Sequence, residues 1–354
     1  MNWDQTVDVL VVGSGNGGMT AAVCCHEMGA KNVLVIEKGE KYGGTSSYSG
    51  GGIWVPCSHY TKEAGAEDSL EEAREYCRRL ARTHYENFSV ATWFLPKKLR
   101  QDFLNVYAYC RISDDLGDEV GDAAAALALL DDWQAQLDAC YEGNPRHPVF
   151  VALADTVKKF GIPKHEFSDL LIAFRQDQTV TRFPTFDDVL AYCRYSADPV
   201  GHLVLYLCGY HDADRQQLAD YTCTALQLAN FWQDVSVDYA KDRIYLPLED
   251  LRRYSVTEED LAQKRNTPAF CEMMKFEVER ARQWFDRGLP LVSKVDRELA
   301  VDIELFSRGG QEILKAIEAQ GCNVLGRRPA ISKARKLTLV ARAAWGKILR
   351  GKRV

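Results

Sequence analysis

No stretch of the chain approaches 18 uninterrupted apolar residues, so a membrane-spanning helix is not expected. The N-terminus, Met1 to Thr6, lacks the basic region and apolar core of a secretory leader. Cationic excess is absent too: 44 Lys and Arg stand against 50 Asp and Glu, a formal net charge of -6, and no basic stretch interleaved with aromatics suggests a nucleic-acid partner. The 11 cysteines form no C-x-x-C pair, which argues against structural zinc and for small buried hydrophobes in a reducing compartment. Glycine is scarce beyond the start, since 12 of the 25 fall within the first 66 residues. What remains is a globular composition, 46% hydrophobic and 27% charged, large enough for a sizeable core.

The glycine-rich start reads as strand, turn, helix, strand. Val7 to Val12 is a β-branched run, Gly13 to Gly18 a turn, Met19 to Met28 a helix and Asn32 to Ile36 a second strand, together a βαβ unit. Gly13, Gly15 and Gly18 match G-x-G-x-x-G, and Glu37 closes the second strand where a ribose-binding acid belongs. With the following Gly43-Gly44-Thr45-Ser46-Ser47-Tyr48-Ser49-Gly50-Gly51-Gly52, residues 1 to about 75 resemble the N-terminus of flavin-dependent ketosteroid dehydrogenases and their fumarate-reductase-type relatives. That resemblance implies FAD on Gly13, Gly15, Gly18, Glu37, Gly44 and Ser46. Nothing downstream continues the pattern, and two strands with one helix make no independently stable sheet. The segment therefore reads as a partial Rossmann-like flavin domain rather than a working FAD site, with a flavin oxidoreductase as an alternative.

From about Ser69 the pattern is helical, with apolar positions at helix period over 70–82, 99–120, 123–139, 149–160, 166–175, 186–195, 215–239 and 268–287. Around ten helices enclosing a cavity are expected. Two of them carry acids four apart, Asp114 with Asp118 and Asp234 with Asp238. Such spacing stacks like charges on one face, which repel unless something positive lies between them. Tyr107, Arg111, Asp114 and Asp118 form one stripe, and Gln227, Asn230, Asp234 and Asp238 another. A single D-x-x-x-D would be a solvated face; two aligned stripes point to Mg2+ carrying a diphosphate. Arg111 suits bidentate phosphate recognition, and Phe88, Trp93, Phe94, Tyr107 and Phe231 could surround a carbocation.

These stripes, with His84-Tyr85-Glu86-Asn87-Phe88, Leu95-Pro96, Tyr107 to Arg111, Asn230 to Asp238 and Arg243-Ile244-Tyr245-Leu246-Pro247, resemble the squalene and phytoene synthases over residues 70 to about 330. The wording is most like the bacterial hydroxysqualene synthases of hopanoid pathways. The resemblance implies a mainly all-α fold, the class I isoprenoid synthase fold, with Asp114, Asp118, Asp234 and Asp238 as magnesium and diphosphate residues. It implies catalytic roles for His84, Tyr107, Arg111, Gln227 and Asn230, with Tyr192, Ser196 and Gly201 at the cavity wall. Gln233 and Val237 stand where many relatives carry a cation and a carboxylate, which suggests a site for one diphosphate.

The implied reaction converts presqualene diphosphate and water to hydroxysqualene and diphosphate. Alternatives are a farnesyl diphosphate farnesyltransferase making presqualene diphosphate or squalene, and a phytoene synthase. Three segments are expected: 1–68 flavin-like, 69–330 catalytic and 331–354 a basic amphipathic tail. The tail, Lys333 to Val354, holds eight Lys or Arg and no acid, with Leu337, Val340, Ala341, Ala344, Trp345 and Ile348 at helical spacing. A cytoplasmic protein with peripheral contact at the inner face of the cell membrane is the expectation.

Overall fold

The computed structural model describes residues 7–12, 22, 25, 29–36, 69–83, 97–332, 335 and 338. Two compact units divide the chain, Met1–Val55 and Pro56–Val354. Both that division and the boundary expected at residue 68 lie outside the described residues, as does nearly all of the basic tail. In the first unit β1 (Val9–Val12) pairs in parallel with β2 (Val33–Ile36), Val9 opposite Val33 and Val12 opposite Ile36. The Asp8 carboxylate accepts from the backbone N–H groups of Lys31 and Asn32, both at 2.9 Å, which ties the entry of one strand to that of the other. Gly13, Gly15, Gly18, Glu37, Gly44 and Ser46 lie outside the described residues.

The second unit is helical throughout its described length. In order come α1 (Leu70–Thr83), α2 (Arg100–Asp118), α3 (Ala123–Tyr141), α4 (Pro148–Phe160), α5 (His165–Gln176), α6 (Phe186–Ser196) and α7 (Asp198–Leu207). Then follow α8 (Ala213–Ala240), α9 (Leu248–Arg253), α10 (Glu258–Ala262), α11 (Pro268–Gly288) and α12 (Arg297–Ala319). Short 3-10 turns precede α2 and α12, at Lys97–Leu99 and Leu289–Ser293. None of the described helices is long and apolar enough to cross a membrane.

Local chemistry sets the boundaries. Asp122 caps α3 by accepting from Ala125 N, and Thr185 and Asp188 form a reciprocal capping box on α6. Each such cap contributes about 1 kcal/mol. Gly161 ends α4 in the left-handed region at φ 64°, a conformation that glycine adopts without steric cost. Sequence periodicity foresees eight helices and leaves α7, α9, α10 and α12 unread. α9 and α10 are too short to show a period, and α7 is apolar on most sides. In α12 the pair Gly309 and Gly310 looks like a break; a Cβ at Gly310 would come within 2.3 Å of the Phe285 ring, so packing rather than flexibility demands the glycine.

The long helix α8 packs against α7, α11 and α12 and buries Phe231, Trp232 and Val235 in the larger of two main cores. The second core gathers α2 to α5 around Tyr109, Trp133, Phe150 and Phe167. Its aromatic polar ends are satisfied: Tyr109 donates to the Phe167 carbonyl at 2.9 Å, and Trp133 Nε1 donates to Ser113 Oγ at 3.0 Å. Buried charge is paired as well. The His202 ring on α7 lies 2.9 Å from Glu166 of α5 and 2.7 Å from Asp220 of α8, pinning three helices together.

Burial opposes charge on His202, but hydrogen bonds to Asp220 and Glu166 and their negative charge outweigh it, holding the ring up at about 10. The folded value exceeds the unfolded one, so this stabilisation is complete below about pH 6.5 and is lost as pH rises through about 10. His202→Gln should lower stability at pH 6 by about 3 kcal/mol, because it strands the buried Glu166 carboxylate. The gap between wild type and variant should narrow from pH 6.5 to 10 in denaturant titrations. A gap independent of pH would contradict the ion-pair account.

Candidate active site

The two acid stripes face each other through cations supplied by flanking segments. After α8 the chain turns at Asp242, in the left-handed region at φ 58°. It then pairs with the segment before α6: Ile244 N–H donates to the Thr181 carbonyl and Leu248 N–H to the Phe183 carbonyl, each at 2.9 Å. Arg182 fastens this pairing by donating to the Asp242 carbonyl at 2.6 Å and carboxylate at 2.8 Å. Arg243 is thereby aimed across at α2, where its Nη1 donates to Asp118 Oδ1 at 3.0 Å, and Lys241 Nζ lies 3.5 Å from the same carboxylate.

Asp234, buried on α8, takes both Nε and Nη2 of Arg328, the latter at 2.9 Å. The neighbouring Gln233 is also buried; its amide donates to the Pro329 carbonyl at 2.6 Å. The cation that Gln233 lacks is thus replaced, in space, by Arg328 from beyond α12. Val237 is 43% exposed and contributes nothing to this cluster. On α2, Arg111 pairs with Asp114 at 3.2 Å and with Asp115, so the guanidinium expected to meet phosphate is held by acids of its own helix.

Asp238 completes the stripe. Burial and the nearby Asp234 charge, with a smaller push from Asp118, raise its carboxyl to about 7 against the pull of Arg243 and Lys241. A fifth acid, Asp177 just after α5, was not foreseen. It is buried, receives the Tyr192 hydroxyl at 3.0 Å on Oδ2, and its Oδ1 has no hydrogen-bond partner among the described residues. Burial raises it to about 7, opposed by Arg243 and by the Tyr192 hydrogen bond, with Asp118 and Asp114 adding to the rise. No other acid stands at helical spacing from Asp177, so the sequence offered no signal.

Buried or crowded carboxylates that resist ionisation, with orphaned oxygen on one of them, fit a hard divalent cation by donor chemistry. Among the described residues no three His, Cys, Asp or Glu converge closely enough to hold an ion by themselves. A magnesium ion at this end would need oxygen from its substrate as well. Asp114, Asp118, Asp234 and Asp238 are the residues that would hold it.

The same two helices continue into an apolar cavity of about 250 Å³. Phe103, one turn before Tyr107 on α2, and Leu226, next to Gln227 on α8, stand at its upper wall, while Gly201 lets α7 approach Ala219 and Cys223. A Cβ at Gly201 would meet the Cys223 sulfur at 2.8 Å. Gln227 is half-buried and Asn230 open to solvent, on the stripe above the cavity. Of the expected aromatics, Phe231 lies instead in the core, stacked on Tyr245 at 3.9 Å. The aromatic rings lining the cavity are Phe103 and Phe306. Tyr192 is buried against Asp177 rather than at the cavity wall, and Ser196 is half-buried and does not line it. His84, Phe88, Trp93 and Phe94 lie outside the described residues.

Residues 81–335 match the squalene/phytoene synthase family. The chain belongs to this family. It is 32% identical to the 15-cis-phytoene synthase of Synechocystis sp. over 292 residues, 78% of this chain and 86% of that protein. Among solved structures, the squalene synthase HpnC from Alicyclobacillus acidocaldarius is 44% identical with a TM-score of 0.69, covering 72% of this chain and 96% of that one. A dehydrosqualene synthase in complex with ligand is 26% identical with a TM-score of 0.72, covering 80% and 98%. The helical fold and the squalene/phytoene synthase resemblance expected from the stripes are thereby established, and residues 8–95 separately match an FAD binding domain.

For a synthase of this family, Asp234→Asn should reduce magnesium-dependent turnover of a prenyl diphosphate by about 100-fold or more. The fold should survive, since the Arg328 partner is half exposed and screened by solvent. A folded Asp234→Asn or Asp114→Asn protein with wild-type rates would refute the metal assignment.

Proposed function

We propose that this chain is a magnesium-dependent enzyme of squalene and hopanoid biosynthesis that converts presqualene diphosphate and water to hydroxysqualene and diphosphate. The observation that carries the reading is the gathering of Asp114, Asp118, Asp177, Asp234 and Asp238 with Arg111, Arg243 and Arg328 around two helices that run on into an apolar cavity. Magnesium, when bound, would neutralise the diphosphate as it leaves. Arg243 and Arg328 hold carboxylates of α2 and α8 in place, and offer N–H donors to phosphate oxygen as those pairings rearrange. Arg111 can do the same from α2. Tyr107 stands between the acids and Phe103, at the boundary where charge separates from the hydrocarbon. Below it the apolar wall excludes water from the tails of the carbocation and favours its orderly rearrangement.

Support for the hydroxysqualene product comes from the 44% identity to the squalene synthase HpnC and from Val237, where the second stripe carries no carboxylate. The phytoene synthase names among the relatives favour a second reading, condensation of two prenyl diphosphates. Incubation with presqualene diphosphate and magnesium should give hydroxysqualene with release of one diphosphate and no requirement for a nicotinamide cofactor. Product formed from farnesyl diphosphate alone, with presqualene diphosphate left unconsumed, would replace the first reading by the second.

The FAD-domain match over residues 8–95 favours a further alternative, a flavin oxidoreductase. On the synthase reading, protein denatured with acid should release far less than one flavin per chain, measured by fluorescence. Stoichiometric flavin would require a redox role for the first unit.

A further inference from the structure

The proposed reaction ends when water meets a carbocation, and the cavity has nothing with which to hold that water. The surface that its walls present is entirely apolar. A water enclosed in protein stays only where it finds roughly two to four polar partners. Solvent arriving at random is no substitute, because it would quench the cation before the rearrangement is complete. The capturing water has to be held singly, at the edge where hydrocarbon gives way to the acid stripes.

Ser196 puts a polar group at that edge. It is the last residue of α6, and its Oγ is buried with no hydrogen-bond partner among the described residues. Tyr192, one turn earlier, donates to Asp177 at the charged end, and Val200, one turn later, lines the cavity. A buried hydroxyl without a partner has given up its solvation for nothing, so it marks a place for one.

Contacts with α8 fix what lies across from it. The Tyr192 ring meets the Phe231 ring with centroids 6.1 Å apart, Thr224 Oγ1 donates to Asp198 at 3.0 Å, and a Cβ at Gly201 would meet the Cys223 sulfur at 2.8 Å. Numbers rise along α6 and α7 as they fall along α8, so Ser196 comes level with Leu226 and Gln227. Leu226 lines the cavity, and Gln227, half-buried, opens the polar stripe. A hydroxyl and a side-chain amide thus flank the step between the two ends of the site, and each has an oxygen able to accept from water.

We propose that Ser196, with Gln227, holds the water that captures the carbocation. The proposal rests on the hydroxysqualene reading above and adds to it the place of the nucleophile. The water donates its hydrogens to Ser196 Oγ and to the Gln227 amide oxygen, which leaves a lone pair for the cation. As the C–O bond forms one O–H bond breaks, and the proton passes to an oxygen of the diphosphate already released. No oxidant or reductant is consumed. Ser196 is a positioning residue, since it acts through the water and touches no reacting carbon.

The test reads the ratio of products, which is set after ionisation, rather than the rate. The full chain is incubated with presqualene diphosphate and magnesium, and the products are separated by gas chromatography with mass detection. Wild type should give mainly hydroxysqualene. A cation with no water in place loses a proton from a neighbouring carbon to the diphosphate instead, giving a hydrocarbon with one double bond more than squalene. Ser196→Ala should lower the ratio of alcohol to hydrocarbon about tenfold, and Ser196→Thr, which keeps the hydroxyl, should hold most of it. Should Ser196→Ala fold poorly, Gln227→Met removes the other partner of the same water and should lower the ratio likewise. A wild type that makes alcohol in a ratio unmoved by whichever of these two variants folds overturns the water site and leaves the reaction standing. A wild type that makes no alcohol from presqualene diphosphate defeats the reaction and the water site together.

Discussion

The pairing of Arg243 with Asp118 is the interaction on which the rest of the polar end depends. Asp118 belongs to α2 and Asp238 to α8, and their like charges repel, more strongly as water is removed. Without a cation between them the helices could not present both acid stripes to one small volume. Arg243 can serve because it is not on either helix: its backbone is stitched to the segment at Thr181 and Phe183, and Arg182 locks the turn that precedes it. A guanidinium fixed by its own loop can hold one carboxylate while leaving others available. Burial, with neighbouring acids adding to it, holds the carboxyls of Asp177 and Asp238 above the usual range even with Arg243 nearby. Acids crowded in this way suit a divalent ion and, on the proposed reading, the diphosphate it would carry.

Residues that announce themselves by spacing were legible in the sequence. Asp114 with Asp118 and Asp234 with Asp238 repeat at the helical period, and the polar neighbours Tyr107, Arg111, Gln227 and Asn230 extend the same faces. Residues brought in by tertiary folding were not. Asp177 sits just past a helix end with no spaced partner, and Arg328 is 94 residues from the Asp234 it pairs with. Aromatic residues were misjudged where composition replaced direction: Phe231 is next to the acid stripe in sequence yet points into the core, while Phe103 and Phe306 supply the cavity. Gln233 illustrates the same limit from the other side, since a missing cation in sequence was made up by Arg328 in space.

The first unit obeys different physics. Its paired strands are β-branched and only half-covered, and their pairing is reinforced by Asp8 rather than by a second layer of helices among the described residues. Among the described residues the helical unit has two large cores in which Tyr109, Trp133, Tyr192 and Trp232 find carbonyl, carboxylate or hydroxyl partners. The chemistry of the acid cluster requires such a scaffold, because carboxylates held against their repulsion would otherwise drift apart.

One helix couples the two halves of the site. Over its 28 residues α8 carries the second acid stripe toward its C-terminus and the cavity wall toward its N-terminus. Its position is set by close contacts that leave no slack: Gly201 admits Cys223, Gly310 admits Leu226 and Phe285, and a Cβ at Gly288 would come within 2.2 Å of the Thr222 hydroxyl. Packed interiors transmit such displacements rather than absorbing them. A shift of α8 large enough to widen the cavity would also move Asp234 and Asp238 relative to Asp118. The width of the cavity and the spacing of the acids are therefore not independent properties of this fold. A variant that alters the hydrocarbon end through α8 will disturb the charged end as well, whereas one on α12, which carries none of the acid stripe, can alter the first without the second.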